Sequence, residues 1–278
     1  MNKNIVVGID FSDNSINALE HAISIANKAN MSVTMVWVDH IDYSKEIFSV
    51  DPAHRLDAVA KRFNELIEKF SDCCEKLEFV IRKGKVYREI CDVAEEQKAK
   101  FLVVGTHGLS GFEEFWSGSN ANRIVSASHV PVITIRGGVD VGQSLDRIVL
   151  PLDSTKVTRE KVPVVAELAK YFDSEVHILG LQTTNLQDIR YRIKAYVAQT
   201  EDMFKENGIK YKSTFIDSEQ ITDDTLEYAK SINANLIAIM TEQETTTANL
   251  WMGPYAAQMV NHSPFPVLSV KPNKDLML

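Results

Sequence analysis

Short unbroken apolar runs alternate along the chain with longer stretches whose apolar residues return every three or four positions. The first run, residues 4 to 9, reads Asn-Ile-Val-Val-Gly-Ile and ends at Asp10; Ile16, Leu19, Ile23 and Ala26 then step at helical spacing. A strand buried on both faces has no polar alternation, whereas a helix lying on a sheet keeps one apolar stripe, so this pair predicts strand then helix. Ser12 or Asp13 stands where an N-cap is needed. Val33 to Val38 predicts a second strand, and after a polar stretch from Asp39 to Pro52 the stripe Leu56, Val59, Phe63, Leu66 and Phe70 marks a second helix. Leu77 to Ile81 is a third strand, with Val86, Ile90, Val93 and Ala94 on the helix after it. Phe101 to Val104 supplies a fourth strand, and Val132 to Ile135 a fifth after a helix beginning near Ser119 that carries Ala121, Ile124 and Val125. Five strands separated by four helices predict an open α/β domain, its sheet parallel and its helices on both faces.

The pattern then begins again. Arg147 to Leu152, Val176 to Leu181, Ile209 to Ile216, Asn235 to Met240 and Pro266 to Val270 predict five more strands. Between them stand helical stripes such as Val162, Val165, Leu168, Ala169 and Phe172, or Ile189, Ile193, Val197 and Phe204. The chain is an internal repeat: a first domain over 1–138, a polar glycine-containing linker over 139–146, and a second domain over 147–278. Asp10 falls opposite Asp153 at an offset of 143, and Gly118 opposite Gly253 at an offset of 135. The second copy has lost residues in between, in the loop after its second strand.

Candidate chemistry sits after the fourth strand, where Gly105 to Asn120 reads Gly-Thr-His-Gly-Leu-Ser-Gly-Phe-Glu-Glu-Phe-Trp-Ser-Gly-Ser-Asn. Glycines at 105, 108 and 118 allow positive φ and close backbone approach to a ligand. The free N–H groups and positive dipole end of the next helix favour an anion there. Open α/β sheets bind ligands at the carboxyl ends of their strands, so the loop has the make-up of a phosphate cradle. In the second copy Met240 stands opposite Gly105, Glu242 opposite His107, Gln243 opposite Gly108 and Pro254 opposite Ser119. Bulk, negative charge and a missing N–H all oppose anion binding, so the second copy is expected not to bind by this route.

Gly105-x-x-Gly108, nine residues, then Gly118-Ser119, together with Val-Gly-Ile-Asp10-Phe-Ser12 and Val130-Pro131-Val132-Ile133-Thr134-Ile135, resembles the ATP-binding branch of the universal stress proteins. That resemblance implies two tandem five-stranded parallel-sheet domains, Rossmann-like and similar to the adenine nucleotide alpha hydrolases, packed as a pseudo-dimer through their closing strands. It implies ATP with Mg or Mn as cofactor, bound in the first domain of a nucleotide-dependent stress-response regulator or sensor, with a homodimer and an unknown protein partner as further possibilities. Ile9, Asp10 and Ser12 would lie beside the nucleoside, Val38 would offer its backbone to the adenine edge, and Gly105 would border the ribose. Thr106, His107, Gly108, Gly118, Ser119 and Asn120 would surround the phosphates. Asp10 on its own reads as a ligand contact or a helix cap, and His107 as a positioning residue rather than a catalyst, because no carboxylate is spaced to orient it. A slow ATPase or phosphotransferase, and a scaffold without nucleotide, are the competing functions.

Composition narrows the setting. The 278 residues are 45% hydrophobic with a net charge of −8, shared as −3 over residues 1 to 139 and −5 over the rest. No basic patch appears, which argues against nucleic acid or anionic membrane as a partner. No eighteen-residue apolar run and no basic-then-apolar leader is present, so a cytoplasmic protein is expected. Cys73, Cys74 and Cys91 lack metal-ligand spacing and read as idle thiols in a reducing compartment.

Overall fold

Ile5 and Val7 of the first strand pack on one side of the sheet and Val6 on the other, all three fully buried. That is the signature of a sheet with helices on both faces. The computed structural model describes residues 4–40, 52–71, 76–106, 117–140, 144–241 and 253–272. Its first half contains β1 (Asn4–Gly8), α1 (Asp13–Ala29), β2 (Ser32–Asp39), α2 (Pro52–Lys69), β3 (Leu77–Lys83), α3 (Val86–Glu96), β4 (Phe101–Thr106), α4 (Ser117–Ala127) and β5 (Val132–Arg136). The second half repeats the order with β6 (Arg147–Leu152), α5 (Val162–Phe172), β7 (Glu175–Gln182), α6 (Gln187–Glu206), β8 (Lys210–Asp217), α7 (Ile221–Ser231), β9 (Leu236–Met240), α8 (Pro254–His262) and β10 (Val267–Val270).

The ten strands form one sheet, in the order β3-β2-β1-β4-β5-β10-β9-β6-β7-β8. Each half is parallel, and the halves meet where β5 and β10 run antiparallel, with Thr134 opposite Val267 and Ile133 opposite Leu268. These are the two closing strands that the sequence sets side by side. One face of the sheet is covered by α1, α2, α5 and α6, whose Leu19, Phe63, Val165 and Ile193 join a single core. On the other face α3, α4, α7 and α8 bury Ile90, Ile124, Ala229 and Met259. Cys91 lies in that second core, and burial pushes its thiol up to about 12, so it is unreactive near neutral pH. Cys73 and Cys74 lie outside the described residues.

The seam is tied by a pair of side chains related by the repeat. Arg136, at the end of β5, donates from Nη1 to the carbonyl of His262, the last residue of α8, at 3.3 Å. Lys271, just beyond β10, donates from Nζ to the carbonyl of Ala127, the last residue of α4, also at 3.3 Å. Each half therefore caps a helix of the other, with the cation at the negative end of the helix dipole.

Candidate functional site

Strand order within the first half reverses direction between β1 and β4, which places a crevice at their carboxyl ends. Val7 is opposite Val103, which brings Ile9 level with Gly105; Gly105 is still paired with Ile135 of β5, and the Ile9 amide donates to the Val36 carbonyl at 2.8 Å. Val38 lies on the neighbouring β2, two residues further along. Ile9, Asp10, Val38 and Gly105 are thus brought to one end of three adjacent strands. Thr106 ends β4, but its hydroxyl turns to the Ile135 carbonyl of β5 at 3.5 Å and is buried there. Gly118, Ser119 and Asn120 fall in the first turn of α4, whose amino end faces the same edge because a crossover helix runs antiparallel to its strands. The helix begins at Ser117, two residues before the start expected near Ser119. His107 and Gly108 lie outside the described residues.

Asp10 and Ser12 form one unit. Asp10 Oδ1 accepts from the Ser12 amide at 2.9 Å and from the Ser12 hydroxyl at 2.6 Å, while Ser12 Oγ accepts from the Ser15 amide at 3.3 Å and caps α1. The carboxylate is exposed, and its second oxygen makes no hydrogen bond among the described residues. Asp10 thus orders the turn that presents Ser12, and Ser12 rather than Asp10 caps α1. Between them Phe11 takes φ +64°, a strained left-handed conformation for a bulky residue. Its ring sits 4.9 Å from that of Phe63, with the Arg62 guanidinium 4.5 Å over it. Phe11 was not among the residues expected at the site, although an aromatic between a turn aspartate and a cap serine is itself a signal.

Gly105 owes its identity to a helix rather than to positive φ, which it does not adopt. A Cβ there would lie 2.6 Å from the Asn14 carbonyl oxygen, so only glycine lets the first turn of α1 rest on β4. The second half carries Met240 at this position, and its first helix starts differently. The counterpart of Asp13 is Lys156, where a 3-10 turn runs over Lys156–Arg159 and the α-helix starts only at Val162. The Asp-turn survives, since Asp153 Oδ1 accepts from the Thr155 amide at 2.7 Å and hydroxyl at 2.6 Å.

Two buried polar groups lie within the electrostatic reach of Asp153. Tyr255, the counterpart of Asn120, is buried with its hydroxyl unpartnered among the described residues, and burial raises its pKa. Lys161 is 2% exposed, and its ammonium donates to the Thr158 carbonyl at 2.8 Å and hydroxyl at 3.1 Å. Burial lowers its pKa to about 8 against the pull of Asp153. Pro254 occupies the first turn of α8 and withdraws an N–H from the helix end. Among the described residues no three of His, Cys, Asp and Glu come together to hold a metal, and no helix is long and apolar enough to cross a membrane.

The fold defines a tandem pair of doubly wound α/β domains joined through their closing strands. The model of the universal stress protein family matches residues 1–136 and again 144–271, and the chain belongs to that family. A universal stress protein of Methanocaldococcus jannaschii is 29% identical over 142 residues, covering 48% of this chain and 82% of that protein. Universal stress protein YxiE of Bacillus subtilis is 26% identical over 144 residues, covering 48% of this chain and 97% of its own. The crystal structure of a universal stress protein from Archaeoglobus fulgidus superposes with a TM-score of 0.78 at 20% identity, over 98% of this chain and 100% of that one. That likeness extends across both halves and their seam.

Proposed function

We propose that the first half binds an adenine nucleotide, ATP in the first instance, and that the protein is a nucleotide-dependent stress-response regulator with one working site per chain. The observation that carries this reading is a placement: Ile9, Asp10, Val38 and Gly105 stand at the carboxyl ends of adjacent strands, beside the amino ends of α1 and α4. The residues fit the ligand. The unengaged Asp10 oxygen is an acceptor for a ribose hydroxyl or a site for a divalent cation, and the amino end of α4 supplies amide donors for phosphate. The adenine edge falls to the Val38 backbone. The second half supports the single-site reading by contrast, with Met240, Tyr255 and Pro254 set where the first half has Gly105, Asn120 and Ser119. A bound nucleotide would become part of the surface offered to a partner.

Equilibrium dialysis of the full chain against ATP tests the proposal. One nucleotide per chain is expected, abolished by Gly118→Pro, which removes an amide at the start of α4. Two nucleotides per chain would overturn the single site, and none at millimolar ATP would overturn the function.

A further inference from the structure

The sheet ends in two strands, β3 and β8, and no strand lies on their outer sides among the described residues. Such an edge presents a row of unpaired N–H and C=O groups, which a protein either shields with charge or covers with a partner. β8 is shielded, since its exposed positions include Lys210 and Lys212. β3 presents more apolar surface: Leu77, Phe79, Val80 and Ile81 are only half-buried, and Phe79 stacks on Phe63 of α2 at 4.7 Å.

Backbone direction limits how β3 can be covered. The Lys76 carbonyl accepts from the Val33 amide at 2.8 Å, and the Gly84 amide donates to the Asp39 carbonyl at 3.2 Å, so the even positions of β3 turn their backbone toward β2. The odd positions, Leu77, Phe79, Ile81 and Lys83, turn theirs to the open side. Residues that exchange both hydrogen bonds across an antiparallel pair must both face the gap, so odd must meet odd. A second copy of β3, related by a twofold axis at Val80 and perpendicular to the sheet, meets this condition. Phe79 then lies opposite Ile81 of the second copy, and Leu77 opposite Lys83. The same axis sets Glu78 of each copy opposite Arg82 of the other, giving two cross-strand ion pairs on one face. Moving the axis to Phe79 sets Arg82 against Lys76, and moving it to Ile81 sets Glu78 against Gly84. Charge therefore selects Val80. On β8 the one carboxylate, Asp217, points to the opposite face from Lys210 and Lys212, so no such axis pairs it with either.

We propose that two copies of this chain join edge to edge through β3, antiparallel about Val80, with Glu78 and Arg82 of each copy paired with Arg82 and Glu78 of the other. The occupant is a second copy because the order of charges along β3 is complementary to itself. Glu78 is met within its own chain by Lys76 at 2.6 Å, and Arg82 by Glu96; both pairs are solvent-exposed and exchange at little cost. With β8 shielded, association closes at two chains. The junction repeats the antiparallel meeting of β5 and β10 inside the chain, and it does not depend on nucleotide binding. A short strand with exposed ion pairs makes a weak pair, with a dissociation constant on the order of 0.1 mM.

Sedimentation equilibrium of the full chain at low salt, from about 20 μM to about 1 mM, provides the test. The mass is expected to rise from near that of one chain toward that of two, and no further. Glu78→Arg and Arg82→Glu should each weaken the pair about tenfold or more, because each sets like charges opposite one another. The double variant Glu78→Arg/Arg82→Glu should restore it, since reversing both charges keeps the two copies complementary. Both side chains are exposed, so the substitutions leave the fold intact. A chain that stays monomeric at about 1 mM would overturn the proposal and leave the edge to a different partner. Single variants that pair as well as the parent would overturn it too, as would a double variant that fails to recover or a mass that grows past two chains.

Discussion

An ammonium group held away from water is among the costlier things a folded chain can carry, and Lys161 is such a group. Its folded pKa of about 8 lies below the ordinary lysine value of 10.5 because burial disfavours the charge. Below about pH 8 the amine is protonated in both folded and unfolded chains, and folding carries the whole cost of desolvation. Between about pH 8 and 10.5 the folded chain has released the proton while the unfolded chain keeps it, so stability from this site rises with pH, and above 10.5 the cost is gone. Lys161→Met is therefore expected to stabilise the protein at pH 7 by on the order of 1–3 kcal/mol, and by progressively less as pH approaches 10. Urea unfolding of both proteins at pH 7 and pH 10 measures this, and a difference that ignores pH would show that the amine is hydrated. Nothing in the spacing of the sequence marks Lys161, which precedes an apolar stripe and reads as a solvated helix end. It is buried between the 3-10 turn Lys156–Arg159 and the start of α5 at Val162. Gly105 was legible as special, but for a different reason: the close approach it permits is made by the first turn of α1 as well as by any ligand.

Strands and helices were the most legible level. Runs such as Phe101 to Val104 and stripes such as Ile16, Leu19, Ile23 and Ala26 became β4 and α1 because the periodicity that buries them also defines them. What the pattern could not carry was the way element ends are joined across the seam, since Arg136 and Lys271 look like any cation after a strand. Each donates to the last carbonyl of a helix in the other half. Removing either leaves a helix end without its cation, so Arg136→Ala and Lys271→Ala should each cost about 0.5–1 kcal/mol. The two bonds are on separate helices, and the double variant should lose the sum. Denaturant midpoints for the two single variants and the double variant provide the measurement, and an unchanged midpoint would make these contacts spectators.

At the scale of the molecule, the ten-stranded sheet is continuous only because β5 meets β10. Without the second half, β5 would present a free edge, and Val132, Ile133 and Ile135, each 1% exposed in the whole chain, would lie at or near an uncovered seam. The neighbouring contacts would be lost with it: α1 packs on α5 and α4 on α8 across the same boundary. An open apolar edge of this kind finds a partner, and the partner most like β10 is a second β5. The antiparallel register needed for a twofold pair is already the one the two closing strands adopt. Residues 1–140 expressed alone are therefore expected to form a homodimer through β5, with Arg136 of each copy capping α4 of the other as Lys271 now does. Sedimentation equilibrium at about 20 μM should give twice the mass of the fragment. A folded monomer at that concentration would show that the covalent linker, rather than the complementarity of the two edges, holds the halves together.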